Sequence, residues 1–170
     1  KIQNFLWQMF QKAVLTRQVM EIRKWPRNPV CSFCNRAESS QHLFFRCLVA
    51  KVICRMVGVT LGTEMCPDNC WQYYSSCYTF CPGGEELFTV GLAAVVWATR
   101  NARNKVTFEG TLVNTPFEIV FSTCTFFMSW TGIQKEGNKD VQKSGAELLR
   151  TNGINHMWIC DAVKGGCSAA

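Results

Sequence analysis

Helical spacing of apolar residues along most of the chain predicts a mainly α-helical protein. A helix start spelled out at Thr115–Pro116 supports this, as does the scarcity of alternating, strand-like runs. The same pass isolates one turn-rich stretch near the N-terminus, "CSFCNRAESSQHLFFRC" (31–47), in which three Cys and one His are crowded together.

Taken in order, "IQNFLWQMFQKAV" (2–14) places Ile2, Phe5, Leu6, Met9, Phe10 and Ala13 on one face of an amphipathic helix. Thr16 can cap a second, short helix carrying Val19, Met20 and Ile22. "WPRNP" (25–29) ends it, because two prolines within five residues cannot continue a helix. After the Cys/His stretch, "LVAKVICRMVG" (48–58) reads as a helix closed by Gly58. These pieces form a first unit, 1–58. Residues 59–86, rich in Cys, Tyr and turn residues, read as an irregular connection. A helical region is expected over 87–150. It resumes near Glu85 and runs through "GLAAVVWATRNARNKVTF". It then restarts at Thr115, with Pro116 in the first turn and Glu118 as capping-box partner. A last helix over 139–150 should stop before Asn152–Gly153, leaving 151–170 as a tail without a discernible period.

Length and composition suit a globular unit: 170 residues, 48% hydrophobic, with twelve Phe and six Trp to fill a core. The chain opens on Lys1 rather than Met, as a fragment of a longer reading frame would. No secretory leader is visible. The longest apolar run, "LFTVGLAAVVWAT" (87–99), has 13 residues, short of the ~20 that span a bilayer. A soluble, intracellular protein, nuclear or cytoplasmic and without a membrane partner, is expected. Charge is unevenly placed. Residues 17–55 carry eight Lys and Arg against two Glu, matching the net +6 of the whole chain, whereas 56–99 contain four acids and no base. Such local concentration favours a polyanionic partner.

The 31–47 stretch has the spacing C-x2-C-x7-H-x4-C. Cys31 and Cys34 can face one ion from a tight turn, and His42 and Cys47 can return to it. Zinc accepts such a set, since it takes four thiolate or imidazole donors in a tetrahedron. Eleven cysteines weaken any argument from C-x2-C alone, so buried unligated thiols and disulfides remain the competing readings. An odd Cys count without a secretory leader disfavours disulfides. Four protein donors would leave no open position, so such a metal would be structural. Arg36 and Arg46 could offset its formal negative charge.

Other features are less specific. "CPDNCWQYYSSCYTFC" places Cys66, Cys70, Cys77 and Cys81 at a spacing that a second metal could use, though the central gap is short. His156 has no partner at ligand spacing and reads as a surface residue. "RNARNK" (100–105) could touch phosphates or simply answer the helix dipole. Trp25, Phe44 and Phe45 flank the ligands and could stack on unpaired bases or pack around the knuckle, with Trp25 the most exposed candidate.

From "FLWQMFQKAVLTRQVMEIRKWPRNPVCSFCNRAESSQHLFFRC" the chain resembles the zinc-binding domain at the C-terminal end of plant LINE-type (non-LTR) retrotransposon reverse transcriptases. "FLW", "LTR", "WP" before the first Cys and the "HLFFRC" close carry the resemblance. It continues through "WATRNARNKVTFEG" and "TPFEIV…SWTGIQKE" to about residue 150. Arg100 stands where such proteins often show a second Trp. The resemblance implies a CCHC zinc knuckle with Cys31, Cys34, His42 and Cys47 as ligands of one Zn2+. It also implies a module downstream of the polymerase that helps grip nucleic acid. Arg23, Lys24, Arg27, Arg36 and Arg46 would then contact the phosphates of RNA or DNA, with Trp25 as a stacking surface. Polymerase chemistry needs clustered carboxylates around two metals. The chain's aspartates, Asp68, Asp140 and Asp161, stand far apart, and Glu85–Glu86 adjoins a Gly-Gly turn, so no enzyme activity is expected. The rival reading is a zinc-stapled scaffold for a protein partner, using apolar faces at 87–99 and 117–130.

Overall fold

The computed structural model describes residues 2–26, 28–80 and 82–166, the side chains of Phe80, Glu85 and residues 158–166 excepted. Seven α-helices are described: α1 (Ile2–Phe10), α2 (Arg17–Ile22), α3 (Leu48–Thr60), α4 (Cys70–Phe80), α5 (Glu85–Asn104), α6 (Pro116–Ser129) and α7 (Glu136–Gly166). No strand occurs among the described residues. An isolated antiparallel bridge between Val30 and Ala37 is the one β-type pairing there.

α5 is the central element, and its nearly continuous apolar run follows from burial on two sides. Leu92 and Val96 face a core shared with Phe5 and Met9 of α1, Tyr73 and Cys77 of α4, and Leu43, Phe44 and Phe45. Val95 and Ala98 face a second core built with Ile53 and Met56 of α3, Ile119 and Val120 of α6, and Leu149 of α7. The faces at 87–99 and 117–130, which the scaffold reading would offer to a partner, therefore pack largely on each other and on the core.

Several local expectations hold at atomic detail. Thr16 accepts the Val19 N–H at the start of α2. Glu118 reaches back to the N–H groups of Asn114 and Thr115, and Pro116 opens α6. α2 ends as expected before Pro26, with Lys24 in the left-handed region at φ +58°. α1 is shorter than its apolar pattern, because Lys12 turns the chain at φ +56°.

Three expectations fail, each for a packing reason. Gly58 does not close α3, which runs on to Thr60. A Cβ there would lie 2.8 Å from the Met65 nitrogen and the Thr63 oxygen, so this glycine permits close chain approach instead. The segment expected to be irregular contains α4. Its start is capped by Asn69, whose Oδ1 accepts the Gln72 N–H, and Tyr73 and Cys77 bury one helical face. Finally, α7 passes through Gly153 and into the supposed tail. Gly153 lies against Val120 and Phe121 of α6, so the helix–helix contact holds the glycine in a helix it would otherwise weaken.

Candidate metal centre

The knuckle is built from two local devices. In the first, the Cys31 N–H donates to the Arg36 carbonyl at 2.7 Å and the Asn35 N–H to the Cys31 carbonyl at 3.0 Å. Asn35 takes a left-handed conformation at φ +58°, as asparagine tolerates. This closes the turn across Cys31-x2-Cys34, and the Phe33 N–H points at the Cys31 sulfur at 3.5 Å. The second device is a π-helical turn over His42–Arg46. Its closing bond, from the Cys47 N–H to the His42 carbonyl at 2.7 Å, brings His42 and Cys47 back to one another. Leu43, Phe44 and Phe45 drive into the core from this turn, which fixes its orientation. Such wide turns recur at functional sites.

The donor atoms of Cys31, Cys34, His42 and Cys47 all lie within 4.8 Å of one another. Cys31 and Cys47 sulfurs are 3.9 Å apart, and the Cys34 sulfur is 3.1 Å from His42 Nε2. Around a tetrahedral zinc with Zn–S bonds of ~2.3 Å, two sulfurs sit about 3.8 Å apart. The sulfur pair thus matches a metal edge and is far too long for a disulfide; all four residues fit one zinc ion. Cys31 and Cys47 are fully buried, and His42 is half-buried. The electrostatics favour ligation by Cys47 and His42 and oppose it at Cys31, whose proton the metal must displace. The hydrogen bond from Cys31 pulls the Cys47 thiol below its ordinary pKa, while that same bond, with burial, pushes Cys31 up. Burial lowers the His42 pKa against the opposing charge of Glu38, with a smaller contribution from Arg36, keeping the imidazole neutral and its lone pair available. With four protein donors the site is closed, so the ion it could hold is structural.

The other candidate residues are distributed as follows. Arg23, Lys24, Arg36 and Arg46 are exposed, and Trp25 is half in solvent. Arg27 lies outside the described residues. Phe44 and Phe45 are buried and unavailable for stacking on bases. Cys66, Cys70 and Cys77 do not gather as a metal-binding group, and Cys81 lies outside the described residues. Cys70 lies largely in α4's packing, where burial raises its pKa to about 11. Arg100 lies over the rings of Phe5 and Trp97 at 5.2 and 5.1 Å, joining α1 to α5 as a cation–π contact.

Arg103, from the "RNARNK" cluster, neither reaches outward nor caps a helix. It is buried and paired with Glu38, which is wholly buried between the two halves of the knuckle. Arg103 Nη2 lies 2.5 Å from Glu38 Oε1 and its Nε donates to the same carboxylate. The Arg17 N–H adds a third donor at 2.8 Å. The sequence signal for this pair is faint, because 65 residues separate the partners.

Residues 1–53 match the family model described as zinc-binding in reverse transcriptase, which supports that family for the stretch containing all four donors. No curated protein and no solved structure matches the chain. No helix among the described residues is long and apolar enough to cross a membrane.

Proposed function

We propose that the chain is a non-catalytic nucleic-acid-binding module stapled by one structural zinc on Cys31, Cys34, His42 and Cys47. We further infer an origin in the C-terminal part of a non-LTR retrotransposon reverse transcriptase of the plant LINE type, acting in the nucleus or cytoplasm. Residues 1–58 are the binding module, and 87–150 its helical support. The zinc fixes the two halves of the knuckle, and its chemistry ends there. This chain's own residues do the binding.

The observation that carries this reading is the charge left facing solvent. Of the two acids within 17–55, Glu38 is buried and neutralised by Arg103, which comes from outside the segment. Glu21 is the remaining acid, against exposed Arg23, Lys24, Arg36, Arg46 and Arg55. Lys51 is offset by Asp68 at 3.8 Å, so the charge facing solvent is carried by these five side chains. Phosphates neutralised by these side chains release counterions, so affinity should fall steeply with salt.

A salt titration with fluorescent single-stranded RNA and DNA tests this. Micromolar or tighter binding at low salt is expected, with a log–log slope reduced by ~0.7 for each phosphate contact removed in Arg23→Ala, Arg36→Ala or Arg46→Ala. Absence of binding at low salt by the zinc-loaded protein would sink the reading.

A further inference from the structure

A cleft of about 750 Å³ opens beside the knuckle, between the end of α1, α2, the residues leading into His42, and the start of α4. Phe44 and Phe45 form its buried floor. Its rim carries Phe10, Ile22 and Trp71, and Trp71 is 87% exposed. The Trp71 indole contributes nothing to the core, and with Phe10 and Ile22 it makes an apolar rim on one cleft. Between these apolar surfaces stand the side-chain amides of Gln18, Gln41 and Gln72. Gln41 Nε2 donates to the Asp68 carbonyl and Gln72 Oε1 accepts the Asp68 N–H, which leaves Gln41 its oxygen and Gln72 its nitrogen for a ligand. The one charged residue lining the cleft is Lys12, and no carboxylate lines it. Ile22 on the rim is followed directly by exposed Arg23, Lys24 and Trp25, so a basic stretch begins at one edge of the cleft.

We propose that this cleft receives unpaired bases of a single-stranded nucleic acid, stacked against Trp71 and Phe10, with the backbone led away over Arg23 and Lys24. Flat exposed rings offer a π-face to any base. Amides present donors and acceptors together, as base edges do. A lining with a lysine and no acid tolerates the phosphates that accompany those bases, whereas base pairs inside a duplex present no free face to the rings. The cleft therefore adds a preference for single strands to the charge-driven binding. The inference rests on the nucleic-acid-binding reading above.

The test compares a short oligothymidylate and its oligouridylate counterpart with a duplex of equal length whose ends are closed by base-free linkers, using zinc-loaded full chain. Trp71→Ala removes a solvent-exposed side chain, so the fold should survive; a far-ultraviolet spectrum and melt check that. It should weaken single-strand binding at least about fivefold, the loss of one stacked base, and leave duplex binding and the salt slope unchanged. Trp71→Phe should recover most of the loss. Arg23→Ala, by contrast, should weaken both substrates. Single-strand binding by Trp71→Ala equal to that of the unsubstituted chain would overturn the cleft and leave the charged surface standing. No binding of either substrate by the unsubstituted chain would overturn both. A dimer that Trp71→Ala dissolves, at unchanged oligonucleotide affinity, would assign the cleft to self-association and overturn it as well.

Discussion

At Glu38 three donors converge on one carboxylate that no water reaches: two nitrogens of Arg103 and the N–H of Arg17. Removing one partner leaves the other charge buried and alone. Glu38→Ala in the zinc-loaded protein should therefore cost about 3–5 kcal/mol, read in a urea melt. Replacing both partners, as in Glu38→Leu/Arg103→Met, should recover most of that loss. A loss in the double variant equal to the sum of the two single-variant losses would show that the pair is not coupled. The ligands make a second prediction at this scale. Metal analysis should give about one zinc per chain, lost in Cys34→Ser. Binding must displace protons from the thiols, Cys31 above all since its pKa is raised, whereas His42 with its lowered pKa competes little near neutrality. Apparent zinc affinity should accordingly rise with pH between about 6 and 8, with proton release measurable by calorimetry in buffers of different ionisation enthalpy. A flat profile would contradict thiolate ligation.

Among the elements, α3 and α4 show how packing reverses propensity. In a bare helix, Gly58→Ala would stabilise by ~1 kcal/mol. Here the added Cβ meets backbone atoms of Thr63 and Met65 at 2.8 Å, which a side-chain rotation cannot relieve. The variant should instead lose about 1–3 kcal/mol, and a raised melting temperature would refute the close approach. Apart from Gln72, α4 is composed of Cys, Ser, Thr and aromatic residues, poor helix formers, and its amphipathic signal is weak. It stands because Asn69 caps it and because Tyr73 and Cys77, four apart, bury against Phe88 of α5. The Tyr73 hydroxyl also donates to the Phe88 carbonyl at 3.1 Å. The Asn69 cap and the Tyr73/Cys77 spacing were visible in the sequence. They were obscured by cysteines whose spacing invited a metal reading.

For the whole molecule, the knuckle is not an appendage. Phe33, between the first two ligands, packs against both main cores and against the small cluster of Cys31, Cys47 and Ala50. Cys47 is also the N-cap of α3, and Glu38 reaches α5 through Arg103. Stripping the metal should thus be felt well beyond 31–47. After chelation, hydrogen exchange is expected to quicken in α3 and α5 as well as in the knuckle, with loss of a single cooperative melt. Exchange confined to the knuckle would show that the helical body stands without the metal.

The donor set, the caps at Thr16 and Glu118 and the helical stretches were legible in the sequence, because each depends on residues a few positions apart. Spacing alone placed Cys31, Cys34, His42 and Cys47 where one ion could meet them. Tertiary structure alone decided the fate of Arg103, Gly58, Gly153 and α4, since their neighbours come from distant parts of the chain. It also decided what the basic segment shows to solvent. A charge counted in sequence has no address until folding buries its partner, and here burial of Glu38 against Arg103 leaves Glu21 as the segment's acid beside exposed Arg23, Lys24, Arg36, Arg46 and Arg55.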